Sequence, residues 1–172
     1  STGATGSVIV VSPSSNSNYS VIGTNPSGCS GNSPVKTLTV NALPVTTISG
    51  TNAICAGQSL SLTASGANTY SWNTGSTSAN VVLTPTSNTS YTVSGTSVQG
   101  CTTSSIKSVT VNTLPLIAIT GNAGICAGTS ASLTASGATT YSWNTGAGTS
   151  QLVVTPSANM SYTVTGFSTA GC

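Results

Sequence analysis

Apolar and polar residues alternate along short segments of this chain, a pattern that predicts half-buried β-strands. Leu60, Leu62 and Ala64 alternate with serine and threonine, so one side of the segment is suited to a core. The same alternation recurs at residues 81–83, 91–93 and 109–111. Turn-forming residues such as those at 65–68 separate these segments. Short strands about ten residues apart, with no sustained helical period, predict an all-β antiparallel sandwich.

This pattern occurs twice with little change, at an offset of 71 residues. Ile-Cys-Ala-Gly at 54–57 returns at 125–128, and Tyr-Ser-Trp-Asn-Thr-Gly at 70–75 returns at 141–146. A fixed period of this size is typical of tandem structural units. The alignment predicts the rear portion of one repeat at 1–42, a complete repeat at 43–113 and a front portion without its last strand at 114–172.

Short proline-containing joints separate the predicted units. Val-Asn-Ala-Leu-Pro at 40–44 and Val-Asn-Thr-Leu-Pro at 111–115 each connect the last strand of one unit to the first strand of the next. Proline restricts its own φ and favours an extended conformation for the preceding leucine. We therefore expect a semi-rigid rod of stacked units. The partial outer units predict a window on a longer polypeptide, or neighbouring chains that complete one another.

Cysteine spacing follows the same period. Cys55 and Cys101 are separated by the same 46 residues as Cys126 and Cys172. We predict the disulfides Cys55–Cys101 and Cys126–Cys172, each worth about 4 kcal/mol in the chain-entropy model. Cys29 takes the second position of a pair whose first member would precede Ser1. The alternatives are a metal site or a redox centre, but neither a CxxC pair nor a histidine accompanies these cysteines.

Each predicted unit carries a small set of aromatic residues at matching positions. The tryptophans, Trp72 and Trp143, are either sugar-stacking platforms or core residues, and their constant place in one strand favours the core. We predict as core aromatics Tyr70, Trp72, Tyr91, Tyr141, Trp143 and Tyr162.

The composition removes most of the groups that catalysis uses. The chain has no Asp, Glu or His, only two lysines, and a net charge of +2. Nucleophilic serine chemistry lacks a base, and calcium lacks carboxylate ligands. Two cations do not neutralise a phosphate backbone, and no apolar run is long enough to span a bilayer. We therefore expect no enzyme, no catalytic, cofactor or metal site, no nucleic-acid partner and no membrane insertion in this segment.

The ordered motifs support a family resemblance. Cys-Ala-Gly-x-Ser-x-x-Leu-Thr-Ala-x-Gly, then Tyr-Ser-Trp-Asn-Thr-Gly, Ser-Tyr-Thr-Val and Gly-Cys together resemble the immunoglobulin-like repeats of very large bacterial surface proteins. The likeness is to repeats of the Bacteroidetes type, including gliding-motility adhesins. It implies tandem immunoglobulin-like sandwiches, with Cys55, Trp72, Tyr91 and Cys101 as structural markers.

These observations predict a secreted, disulfide-containing structural protein. We expect a repetitive stalk or filament of a bacterial surface adhesin or matrix fibre, whose partners are copies of itself or neighbouring repeats. The weak surface charge also permits close packing between copies. The alternative is a carbohydrate- or surface-binding adhesin module, for which surface glycans would be the partners.

Overall fold

The computed structural model describes residues 3–172, which form strands, turns and loops and contain no helix. The predicted all-β class is confirmed. The strands before residue 50 are Ser17–Tyr19 (β1), Ile22–Thr24 (β2), Ser30–Asn32 (β3), Lys36–Leu38 (β4) and Thr47–Ser49 (β5). Those that follow up to residue 112 are Ala53–Cys55 (β6), Leu60–Ser65 (β7), Thr69–Trp72 (β8), Asn80–Leu83 (β9), Thr89–Thr96 (β10) and Thr102–Asn112 (β11). The last are Ala118–Gly121 (β12), Ala131–Ser136 (β13), Thr140–Trp143 (β14), Gln151–Val154 (β15) and Val164–Phe167 (β16).

Two sheets face each other in the central region, residues 43–113. One sheet has the antiparallel order β5-β7-β9, and the other has the order β6-β11-β10-β8. In β7 the apolar residues are buried and the hydroxyl residues are exposed, as the alternating sequence requires. Buried residues of both sheets form one core: Ile54, Leu60, Leu62, Ala64, Trp72, Val81, Tyr91, Val93 and Val109.

One strand pair in this region is parallel. β6 runs alongside the end of β11, and Cys55 lies opposite Asn112. β10 and β11 form a long antiparallel hairpin that turns between Thr96 and Thr102. The two ends of β11 therefore lie beside different parts of the chain, one beside Cys55 and the other beside the hairpin turn that holds Cys101.

The C-terminal region, residues 114–172, repeats much of this arrangement with fewer strands. One sheet has the order β12-β13-β15, and β14 pairs with β16. Its buried cluster consists of Ala135, Trp143 and Leu152, with partly buried apolar residues packed around it. No described residue takes the place that Val109 of β11 occupies in the central region.

The N-terminal region, residues 3–42, contains two small hairpin-like pairs. β1 pairs with β4, and β2 pairs with β3, both antiparallel. None of residues 3–42 is buried, and Val8, Val10 and Ile22 are exposed. The strands of this region are therefore held by backbone pairing without an apolar core. The three predicted units with their boundaries stay a prediction.

A glycine contact holds the first strand of the central region against the following turn. Gly66 has a φ of 90°, and a Cβ at this position would lie 1.8 Å from the carbonyl oxygen of Val45. Gly137 stands in the same relation to Leu116, at 1.9 Å. Only glycine allows this backbone approach, because any other side chain would displace the strand.

Candidate functional site

The hairpin turns after β10 and β16 each end in a cysteine. The Ser168 backbone N–H donates to the carbonyl oxygen of Cys172 at 2.7 Å, and the Cys172 N–H donates to the Ser168 hydroxyl at 3.2 Å. Ser97 and Cys101 make the same two hydrogen bonds, at 2.8 and 3.2 Å. The same local sequence therefore places Cys101 and Cys172 identically on their own hairpins.

Cys55 lies in a different kind of turn, at the opposite end of β11. The Gln58 N–H donates to the Cys55 carbonyl oxygen at 3.0 Å, which closes a tight turn. The following N–H, that of Ala56, donates to the carbonyl oxygen of Asn112 at 2.8 Å. Cys55 is thereby held next to the point where the chain leaves the central region.

The structure joins Cys55 to Cys172 by a disulfide. Their Cα atoms are 5.5 Å apart, and 117 residues separate them in the sequence. Cys55 belongs to the central region, whereas Cys172 belongs to the C-terminal region. The bridge therefore spans the joint at residues 113–117 and ties the two regions together.

The predicted pairings, Cys55–Cys101 and Cys126–Cys172, are corrected by this bridge. Cys55 and Cys101 lie at opposite ends of β11, a strand of 11 residues. At about 3.3 Å per residue these ends are about 33 Å apart, whereas the Cα atoms of a disulfide lie within about 7 Å. The spacing of 46 residues thus reflects the repeat period and is not the loop of a bridge.

Three cysteines of the described chain carry free thiols. Cys29 and Cys126 are exposed, and Cys101 is partly buried. The Cys101 sulfur lies 4.0 Å from the carbonyl oxygen of Asn41, in the joint that precedes the central region. Cys101 therefore borders its own preceding joint, just as the Cys172 bridge spans the joint at 113–117.

Both tryptophans lie in the cores. Trp72 and Trp143 are each 3% exposed, and their indole N–H groups donate to the carbonyl oxygens of Ser78 and Thr149, at 2.9 and 2.8 Å. Neither indole face is available to stack on a sugar.

The tyrosines divide into two kinds. The hydroxyl of Tyr70 donates to the Ala67 carbonyl oxygen at 3.0 Å and accepts from the Ala67 N–H at 3.1 Å. Tyr141 makes the same pair of bonds with Ala138. Tyr91 is buried, whereas its counterpart Tyr162 is only partly buried. The first kind secures a turn, and the second contributes to the core to the extent that neighbouring strands cover it.

An open groove of about 640 Å³ lies in the C-terminal region. Apolar residues such as Leu133, Val154 and Tyr162 line it together with Asn122 and Asn159. In the central region Val109 packs against the equivalent core. The groove is therefore the surface that a strand equivalent to β11 would cover.

Ionic and metal chemistry is sparse. Lys107 donates to the amide oxygen of Asn52 at 2.6 Å on an exposed surface. Over the range 3–172, no three potential metal-binding side chains form a cluster. The same range has no helix long and apolar enough to cross a membrane.

Sequence reasoning missed the role of the joint as the bridged site. The parallel pairing of β6 with β11 separates Cys55 from Cys101, and that pairing depends on contacts between residues distant in the sequence. The shared signal was the identical turn sequence around each hairpin cysteine, because it shows which cysteines are structurally equivalent.

Comparisons with known proteins place this chain in no family. No protein-family model matches it, and no curated protein matches it well enough to count as a relative. Among solved structures it is similar to the SGBP-B protein of the Bacteroides ovatus mixed-linkage glucan utilization locus, in complex with a mixed-linkage heptasaccharide. The identity is 16%, the match covers 91% of this chain and 52% of that chain, and the TM-score is 0.22. The chain thus spans about half the length of that structure, and a TM-score this low establishes no shared arrangement.

Proposed function

We propose that this chain is part of an extracellular stalk or filament in which disulfides across the joints carry tensile force. The observation that carries the proposal is the Cys55–Cys172 bridge, which connects two successive β regions. A bridge inside one region would stabilise that region alone. A bridge across a joint also resists the separation of neighbours.

The covalent path explains how such a bridge would act. When the two ends of this chain are pulled, force enters along residues 1–55 and crosses the sulfur–sulfur bond to Cys172. The segment between Cys55 and Cys172, a sequence separation of 117, is shielded from the load. The central and C-terminal cores would then remain folded at forces that open an unbridged sandwich.

The chemistry of the chain fits an extracytoplasmic structural role. Disulfides persist in oxidising compartments, and the absence of Asp, Glu and His leaves few groups for catalysis. A net charge of only +2 also produces little repulsion between neighbouring copies. These features support a secreted structural protein and give no support to an enzyme.

Single-molecule force spectroscopy tests the proposal. With handles at the two ends, the oxidised chain should lack a length gain that appears once a reductant is added. The released segment of 117 residues should add about 400 Å of contour length. Cys101→Ser is the matched control, since Cys101 is free, and should behave as the parent chain does. Equal contour lengths with and without reductant would overturn the proposal.

The groove of the C-terminal region supports a second candidate, a carbohydrate-binding adhesin module. Its volume is about 640 Å³, and its lining combines Tyr162 with the amides of Asn122 and Asn159. It ranks second because a strand equivalent to β11 would fill the same place. Calorimetric titration with neutral oligosaccharides tests it, with Tyr162→Ala as the variant expected to lose binding and Tyr91→Phe, in the covered core, as the control.

A further inference from the structure

The five cysteines fall into two structural classes. The first class, which we call the hairpin cysteines, comprises Cys29, Cys101 and Cys172. In each case a residue four positions earlier receives the cysteine N–H on its side chain and donates its own N–H to the cysteine carbonyl oxygen: Asn25, Ser97 and Ser168. The three turns are therefore equivalent in geometry as well as in sequence.

The second class, which we call the rim cysteines, comprises Cys55 and Cys126. Each closes a turn in which its carbonyl oxygen accepts the N–H of the residue three positions later, at 3.0 Å from Gln58 and 3.1 Å from Thr129. Cys55 lies at the end of β11 that leads into the following joint. By the offset of 71 residues, Cys126 occupies the equivalent place in the C-terminal region.

The observed bridge joins one member of each class. The rim cysteine Cys55 binds the hairpin cysteine Cys172 of the region that follows it. The three free thiols are the two remaining hairpin cysteines, Cys29 and Cys101, and the remaining rim cysteine, Cys126. Each thus presents one half of the same bridge in the same local turn.

We propose that these thiols form a disulfide ladder, in which every rim cysteine pairs with the hairpin cysteine of the following unit. Cys126 then takes a hairpin cysteine from the unit after it, and Cys101 and Cys29 take rim cysteines from the units before them. The partner is a unit of the same repeat, either further along one polypeptide or in a second copy. The ladder deepens the proposed stalk function and depends on it for its purpose.

The positions of the free thiols fit this pairing. Cys101 borders the joint before the central region, where its sulfur lies 4.0 Å from the Asn41 carbonyl oxygen. Cys126 is exposed at the far end of the C-terminal region, next to the turn in which the Gly128 N–H donates to the Pro156 carbonyl oxygen. Cys101 and Cys126 therefore face opposite ends of the molecule and meet only between different units.

Each new bridge requires an oxidant, and we take it to be a small or protein disulfide. Two cysteine thiols lose two protons and two electrons as their sulfurs join, and the oxidant's own disulfide is reduced to two thiols. With oxidised glutathione as the probe, one glutathione disulfide becomes two glutathione thiols for each bridge.

Two complementary variants test the pairing rule. Cys126→Ser leaves only hairpin thiols free, and the double variant Cys29→Ser with Cys101→Ser leaves only a rim thiol free. Incubated separately with oxidised glutathione, each variant should remain monomeric on a non-reducing gel. Mixed in equal amounts, they should form covalent heterodimers that a reductant separates. Isotopic labelling of one variant identifies the heterodimer by mass.

Several results would overturn the ladder. They are dimers of either variant alone, the absence of heterodimers in the mixture, or heterodimers in equal yield after both variants are denatured in urea. Circular dichroism and retention of the Cys55–Cys172 bridge check that both variants fold. The gel measures no tension, so the ladder can fail while the force experiment on the single chain succeeds, and the reverse.

Native material distinguishes the two sources of the partner. If the partner is a second copy, reduction should lower the covalent mass of the native species to that of single chains. If the partner is a later unit of the same polypeptide, reduction should leave the covalent mass almost unchanged and release only free thiols. Native material whose cysteines stay free under oxidising conditions would contradict the ladder in either form.

Discussion

The central and C-terminal regions carry nearly the same sequence but bury it to different extents. Leu62 and Val93 are 0% exposed in the central region, whereas their counterparts Leu133 and Val164 are only partly buried. The difference comes from β11, whose Val109 packs against the central core. Identical motifs therefore acquire different environments when a strand from elsewhere in the chain covers one of them.

The comparison also separates what a motif determines by itself from what its neighbours determine. Trp72 and Trp143 make equivalent hydrogen bonds and are equally buried. These contacts lie within about ten residues of each tryptophan and do not involve β11. Local turns are thus reproduced in both regions, whereas burial of the wider core is not.

Truncation of the matched leucines should give the largest difference between the regions. Leu62→Ala should lower the free energy of unfolding by about 4 kcal/mol, because it opens a cavity in a closed core, and Leu133→Ala by about 2 kcal/mol. Urea unfolding of the disulfide-intact chain, followed by tryptophan fluorescence, measures both. Equal losses would mean that β11 does not distinguish the two cores.

The glycine contact should have a smaller effect. Gly66→Ala should cost about 3 kcal/mol, because its Cβ would meet the Val45 carbonyl oxygen 1.8 Å away at a positive φ. Gly75→Ala is the matched control: its φ is 87° but no atom lies within 4 Å, so it should cost about 1 kcal/mol. Thermal unfolding of both variants measures the difference, and equal midpoints would contradict the close contact.

The tyrosine hydroxyls should give the smallest effect and no difference between regions. Tyr70→Phe and Tyr141→Phe should each cost about 1 kcal/mol, because each removes the same two hydrogen bonds to one turn residue. The same urea assay applies. A clear inequality would show that the local turns also depend on β11, and the separation drawn above would be wrong.

Much of the fold was predictable because strand alternation is a local signal. The apolar positions of β7, Leu60, Leu62 and Ala64, are buried as their spacing predicts. The parallel pairing of β6 with β11 was not predictable, because it joins segments more than 50 residues apart. Alternation states which face of a strand is buried but not which strand lies beside it.

The candidate site shows the same limit. The cysteines and their period were evident from the sequence, yet spacing alone did not distinguish a bridge within one unit from a bridge between two. That choice depends on which end of β11 each cysteine occupies. The exposure of Val8, Val10 and Ile22 was equally hidden, since their alternating neighbours do not state whether a second sheet is present.

Disulfide mapping by trypsin tests the bridge across the joint most directly. The chain has two lysines, Lys36 and Lys107, so trypsin yields residues 1–36, 37–107 and 108–172. The structure predicts that 37–107 and 108–172 remain linked without reductant and separate when it is added, because Cys55 and Cys172 lie in different fragments. If these fragments separate without reductant, each 2 Da lighter than its fully reduced form, the bridges lie within the fragments and the account is contradicted.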